Sequence, residues 1–326
     1  MDNDFPPLDS PGTLDEALEL LRRTPGGSLP ILDPDTGQVV AVLSRPGAFP
    51  PPAPPRLGGM ATPLGVYLTD GIVSGGAGFW GLFLTGIVLG ALALLSQAIV
   101  NAALTLARAH GHDVWAWAES PARPVALRAW LSALVSGLPV PLIFVLLRLI
   151  PMSGTHAAEH QVVHCIEQGL PLTPDCVRAM PRVHPRCGTN LFVGLSLFLL
   201  VFVGAFCAAA PAPLSLANGV GIADGATVAL VLAAPPALLF WRRIGGFVQQ
   251  WFATRPATDR QIAGGIRAAQ EVLRRRQQTG EGVRFRPLRR AWSMGFAQVL
   301  LGYAALLGPL SLALDRWPAL ANWLGM

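Results

Sequence analysis

Four stretches of the chain carry no charged residue: Gly71 to Ala107, Cys187 to Ala223, Gly225 to Trp241, and Ala291 to Leu314. A helix needs about 20 mostly apolar residues to cross a bilayer, so these stretches hold candidate spans. The pattern predicts a first span within Gly76–Ala107, a third at about Asn190–Ala210 and a fourth at about Ala226–Trp241, the last with Pro235 and Pro236 in its middle. A second span, Val125–Ile150, carries Gly137, Pro139 and Pro141 at its centre, which predicts a kinked or broken helix. Ala291–Leu314, rich in Gly, Ala and Leu, is a weaker fifth candidate that can either span or pack as a hairpin against the bundle. The expected fold class is all-α: a polytopic membrane helical bundle of four or five spans with a small cytosolic N-terminal α/β extension.

The polar stretches divide the rest. Residues 1–45 read as that soluble extension. Thr13 can cap a helix through Arg23, with Asp15 and Glu16 well placed in its first turn. The apolar runs LPILD and QVVAVLS around PDTG then predict a β-hairpin. The order of these pieces resembles part of one CBS repeat, but only a fragment of a repeat is present, so a plain extension is the simpler reading. Residues 46–57 form a stiff proline-rich linker. Residues 58–290 make the membrane domain, interrupted by a polar segment at 151–188, and 291–326 form an apolar C-terminal segment. Within the polar region after Trp241, Asp259 to Arg276 has the pattern of an amphipathic helix.

Composition sharpens the membrane assignment. The chain has 326 residues, 52% hydrophobic and 13% charged, against about 25% charged in soluble domains; its mean hydropathy is +0.47. All 24 basic residues are arginine, and the formal net charge is +5. The arginines flank hydrophobic spans, so topology explains them and nucleic acid is not expected as a direct ligand. Twelve of them, from Arg242 to Arg290, fall between the fourth and fifth spans. The positive-inside rule puts that segment in the cytosol, and counting back through the spans places 151–188 and the N-terminus there too. The expected location is the cytoplasmic membrane, multi-pass, with membrane lipids as surroundings and the arginine-rich 242–290 face open to a membrane-protein or cytosolic partner. Met1 is followed by an acidic, proline-containing stretch rather than a signal peptide, so the first span does the targeting. Cys165, Cys176 and Cys187 then lie on a reducing face, where thiols or metal ligands are expected rather than disulfides.

The chemistry is concentrated in 153–190, SGTHAAEHQVVHCIEQGLPLTPDCVRAMPRVHPRCGTN. A helix is expected from Thr155 to Gln168, stopped by Gly169 and Pro171. On it His156, His160, His164 and Glu167 fall within about 80° of arc. His156 and His160, one turn apart, can share one metal ion. The pattern H-x-x-E-H matches the inverted zinc-hydrolase motif, in which two histidines hold zinc and the glutamate, here Glu159, is the general base. Thr173-Pro174-Asp175 predicts the cap and first turn of a short helix, which can fold a second cluster, His184 and Cys187, back toward the first. Glu167, His184 and Cys187 are the candidates to complete the ligand set; His164 and Arg186 can support it or contact substrate. If His156, His160, His184 and Cys187 all bind, the site is closed, as in structural zinc. His110, His112 and Asp113 read as a polar connector.

The order and spacing of these residues resemble the YqhQ family of bacterial membrane proteins. The resemblance rests on HAAEH (156–160), Glu167, LTPDCV (172–177) and HPRCGT (184–189), with looser likeness in GGMATPLGVYL (58–68) and in GGFVQQWFATRPATDRQIAGGIRAA. It covers roughly 58–275 and implies a metal-dependent membrane enzyme whose reaction is unnamed. An acidic residue associated with the family's glycine-rich opening is absent here. The leading expectation is a metal-dependent hydrolase, with zinc or another divalent transition metal, acting on a membrane-associated peptide or lipid. The alternatives are a non-enzymatic assembly or translocation factor with structural zinc, and, third, a transporter built on the interrupted spans.

Overall fold

The computed structural model describes residues 56–209, 219–279 and 292–317, together with 28–32, 39–44, Glu19 and Leu21. The chain forms two compact units, 1–54 and 55–326. In the first, strands β1 (Ser28–Leu32) and β2 (Val39–Ser44) pair antiparallel, Ser28 opposite Ser44, with a bulge between Ile31 and Leu32. This is the hairpin expected from the two apolar runs. Glu19 and Leu21 are helical; the rest of the expected Thr13–Arg23 helix and most of the 46–57 linker lie outside the described residues.

The second unit opens with a meander that the sequence did not announce: β3 (Gly58–Thr62), β4 (Gly65–Thr69) and β5 (Ser74–Gly76), antiparallel in that order. Asp70 Oδ1 accepts from Ile72 N and Val73 N and so shapes the β4–β5 turn. Gly76 sits at φ +84 against the Val66 carbonyl, where no side chain fits.

Five helices are long and apolar enough to cross a membrane. They are α1 (Phe79–Ala109); α3 (Val125–Gly137) with α4 (Pro139–Leu149), broken at Leu138 as the Gly137/Pro139/Pro141 cluster predicts; α7 (Gly188–Ala209); α8 (Gly219–Val248); and α10 (Phe296–Arg316). A short helix, α2 (Val114–Ala118), lies between the first two. The multi-pass membrane bundle is therefore the architecture, and 296–316 is a single helix rather than a hairpin. One boundary shifts. The fourth helix does not end near Trp241: it passes Pro235 and Pro236, continues through Arg242 and Arg243, and closes in a π-helical turn at Gln249–Ala253.

Small residues let the spans approach. Gly86 of α1 faces the Val299 carbonyl of α10 and Gly302 faces the Phe83 carbonyl, with no room for a Cβ at either. Gly194 of α7 packs under Trp241 of α8, and Gly204 under Trp130 of α3. Such contacts replace the hydrophobic drive that is missing between helices in lipid. Large apolar side chains such as Leu199, Leu238 and Leu301 point outward.

The remaining elements gather at one end of the bundle. They are the β3–β5 sheet, α5 (Met152–Glu167), α6 (Pro174–Ala179) and α9 (Asp259–Thr279). β5 leads into the start of α1, α5 follows the end of α4, α7 begins after the 180–187 loop, and α9 follows the end of α8. Leu68, Val162, Val177, Ile262 and Val272 form the core between sheet, α5, α6 and α9, each contributing roughly 1.5–3 kcal/mol by leaving water. Arg275 donates to Ser74 O and Glu271 accepts from Gly76 N, tying α9 to β5.

Candidate metal centre

Only Ile150 and Pro151 separate the end of the second span from the start of α5. Ser153 Oγ donates to Ile150 O (2.9 Å), and Gln261 Nε2 of α9 donates to Pro151 O (2.8 Å), anchoring the first turn. Gly169 at φ +67 ends the helix. The helix is buried except at His156, His164 and Glu167, which are partly exposed along one stripe.

Each histidine of that stripe is oriented by a backbone carbonyl. His156 Nδ1 lies 3.0 Å from Ala253 O at the end of the π turn, and His160 Nδ1 lies 2.6 Å from Arg182 O. His164 Nε2 meets Val183 O at 2.9 Å. With Nδ1–H donated to a carbonyl, His156 and His160 each present Nε2 as a lone pair. His156 Nε2 lies 3.2 Å from Cys187 Sγ. His160 Nε2 is buried with no hydrogen-bond partner among the described residues. Burial holds the His160 imidazole well below its usual pKa, hence neutral. One ligand atom from each of His156, His160 and Cys187 lies within 4.8 Å of the others. An orphaned buried imidazole nitrogen beside a thiol and a second imidazole fits a divalent transition metal. Burial pushes the Cys187 thiol up, a preference that a bound cation reverses.

Glu159 is buried between this trio and the sheet. A Cβ on Gly59 of β3 would come within 2.5 Å of its Oε1, so the glycine makes the space the carboxyl occupies. No hydrogen bond reaches the carboxyl among the described residues. Burial raises its pKa to about 8, with His156 pulling it down and Cys187 pushing it up. Both influences place the carboxyl beside the trio.

Glu167 and His184 meet each other rather than the trio. His184 Nε2 lies 3.4 Å from Glu167 Oε2, and its Nδ1 accepts from Arg186 N (3.3 Å). The Arg186 guanidinium pairs with the other Glu167 oxygen. Burial lowers His184 to about 4, so it is neutral at pH 7. The His164 ring lies tilted against that of His184, ring centroids 4.8 Å apart and planes at 60°.

Two buried amides that sequence reasoning passed over hold the 184–187 loop. Gln249 Oε1 accepts from His184 N (2.9 Å), and its Nε2 donates to Asn190 Oδ1 (2.6 Å). Asn190 Nδ2 in turn donates to Pro185 O (3.0 Å). Gln161 Nε2 reaches Arg178 O (3.1 Å) and Met180 O (3.0 Å). Their signal in the sequence was a polar amide at each span terminus and on the site helix, where apolar residues would otherwise pack. Gly59 left only the glycine pair at the start of GGMATPLGVYL.

The family model described as "Protein of unknown function (DUF1385)" matches residues 150–275, which take in the trio, Glu159, the Glu167/His184 pair and α9. The uncharacterized protein YqhQ of Bacillus subtilis (strain 168) is 43% identical over 51 residues, covering 14% of this chain and 16% of that protein. No solved structure matches the chain. The likeness to known proteins is therefore partial: residues 150–275 match a family model of unknown function, and a stretch of 51 residues is similar to YqhQ.

Proposed function

We propose that the chain is a membrane-embedded, metal-dependent hydrolase with its site at the cytosolic end of the bundle. The observation that carries this reading is the division of labour on α5. His156 and His160 commit Nδ1 to carbonyls, His156 Nε2 meets Cys187 Sγ and the buried His160 Nε2 has no hydrogen-bond partner among the described residues, while Glu159 lies buried alongside. Three ligands leave a position open, as hydrolytic sites require, and His184 is occupied with Glu167 and Arg186 instead of closing the set. Zinc or a similar divalent ion supplies Lewis acidity that makes water a nucleophile near neutral pH. The chain's own work is positional. The Ala253 and Arg182 carbonyls fix the two imidazoles, Gln249 and Asn190 hold the loop that presents Cys187, and Glu159, which burial keeps protonated until a cation bound beside it favours the ionised form, would then accept the proton that water gives up.

A cytosolic orientation of the site end is supported by its arginines, among them Arg148, Arg178, Arg182, Arg186, Arg242, Arg243 and Arg255, through the positive-inside rule. The site lies where spans end, so a membrane-associated peptide or lipid is the class of substrate within reach.

The test is Glu159→Gln, which keeps shape but cannot accept a proton. The expected result is about one transition-metal ion per chain in wild type and variant alike, with function in a complementation assay reduced at least about 100-fold in the variant. A silent Gln change, with metal and fold lost on Cys187→Ala, would instead assign a structural ion to an assembly factor. Wild type that is folded yet free of transition metal after chelator-free purification sinks the reading.

A further inference from the structure

A second pair of reactive groups meets where α5 packs on α6, apart from the trio. Cys165, in the last turns of α5, is fully buried; Cys176, in α6, is partly exposed; their sulfurs lie 3.7 Å apart. The pair has no His, Asp or Glu at ligand spacing among the described residues, so it does not build a second metal site. Two thiols in contact can, however, exchange their hydrogens for a bond, which asks for about 1.6 Å of closer approach.

The elements they would join give that bond a consequence. α6 and the 180–187 loop form a flap over α5. The flap is held by Gln161 to Arg178 O and Met180 O, and by His160 and His164 to Arg182 O and Val183 O. Every one of these ties is non-covalent. The chain enters the flap through the turn at Gly169 and leaves it at Gly188, where α7 begins.

We infer that Cys165 and Cys176 form a thiol–disulfide site that fastens this flap to α5 under oxidising conditions. With a low-molecular-weight disulfide as oxidant, the Cys176 thiolate attacks one reagent sulfur, forming a mixed disulfide and releasing one reagent thiolate. Cys165 then gives its proton to solvent and attacks Cys176 Sγ, displacing the second reagent thiolate. Two protein thiols are oxidised by two electrons, and one reagent disulfide is reduced to two thiols. Burial and the Cys176 contact push the Cys165 thiol up to about 12, so the second step limits the rate and quickens as pH rises. On a cytosolic face the pair rests reduced and closes only on oxidative challenge. Cys187 is held apart beside His156, and Cys207 lies in a span. The inference does not depend on a metal being bound.

The experiment uses the full-length protein in detergent or nanodiscs, incubated with oxidised glutathione, alkylated and digested with trypsin. Both cysteines fall between Arg148 and Arg178 with no Arg or Lys between, so they share one tryptic peptide. The expected product is that peptide lighter by two hydrogens and resistant to alkylation until reduced. In Cys165→Ser, Cys176 should stop at the glutathione adduct. Amide exchange across 173–187 should slow by about tenfold or more on oxidation and recover on reduction. A wild-type Cys176 adduct that never resolves, or a main product containing Cys187, would overturn the site. Unchanged exchange after the bond has formed would overturn the fastening.

Discussion

α5 and α7, separated by the short α6 and its loop, are opposites in composition, and their burial runs against what composition suggests. α7 is almost wholly apolar, yet only Asn190, Val193, Gly194, Gly204 and Ala205 are buried. α5 carries three histidines, two glutamates and a glutamine, and it is the helix enclosed on most sides. The reason is the solvent. Lipid is as apolar as leucine, so an apolar helix gains little by leaving it, and contact between spans relies on glycine-sized notches. A polar helix can be enclosed only if its groups find partners, and here nearly all do: carbonyls for the histidines, Arg178 and Met180 carbonyls for Gln161. Among the described residues, His160 Nε2, beside His156 and Cys187, is buried without a hydrogen-bond partner, as is Gln161 Oε1 on the same helix. In such a protein hydrophobicity reports what lies outside a helix, and unpaired polar atoms report what it does.

The contrast yields four ways to break it, from strongest to weakest. A His156→Ala/His160→Ala double change removes two ligands and should take metal content from about one ion per chain to below about a tenth; metal analysis of folded protein checks this. Leucine at Gly302 strikes the Phe83 backbone rather than a movable side chain. It should cost about 3 kcal/mol or more in stability, read by unfolding in detergent, while metal per folded chain stays unchanged. A loss of metal in that variant would mean that the bundle and the site are one cooperative unit.

Third, the metal-free protein should lose stability in base. The folded-state pKa of Glu159, about 8, lies above its unfolded value near 4.5. The folded form therefore holds a proton that the unfolded chain has released. The contribution is fully present below pH 4.5 and is lost as pH rises through 8. Glu159→Gln should flatten that slope in an apo unfolding series between pH 6 and 9; an unchanged slope would show the carboxyl to be solvated. The mildest effect is expected for Gln249→Ala, which touches no ligand but frees the loop carrying Cys187. It should weaken metal affinity by about tenfold, measured by competition with a chromophoric chelator, with little change in thermal stability of the spans.

Much of this was legible beforehand. Charge-free runs located four of the spans and a long apolar run the second, and the proline cluster placed the break at Leu138, because these signals are local. The helical spacing of His156 and His160 and the cap at Thr173 were local too. What escaped was tertiary. GGMATPLGVYL has no strict alternation, and its strands exist because α5 and α9 cover them. Whether Glu167 and His184 join the trio or each other depends on how the 180–187 loop closes, which spacing alone does not encode. The continuation of α8 past Trp241 was hidden by Arg242 and Arg243, whose charge ends a span without ending a helix.

The π turn at Gln249–Ala253 is a joint of fixed length. Its wider winding, with Thr254 N bonded back to Gln249 O at 2.9 Å, sets Gln249 against His184 and Asn190 while aiming the Ala253 carbonyl at His156. Loss of one residue there would restore a regular helix and swing everything beyond it by about 100° around the axis. Gln249 and Ala253 could not then both meet their partners. Insertions and deletions in this five-residue stretch should accordingly be far less tolerated than substitutions at its exposed Trp251, making register rather than side-chain identity the property that evolution must protect there.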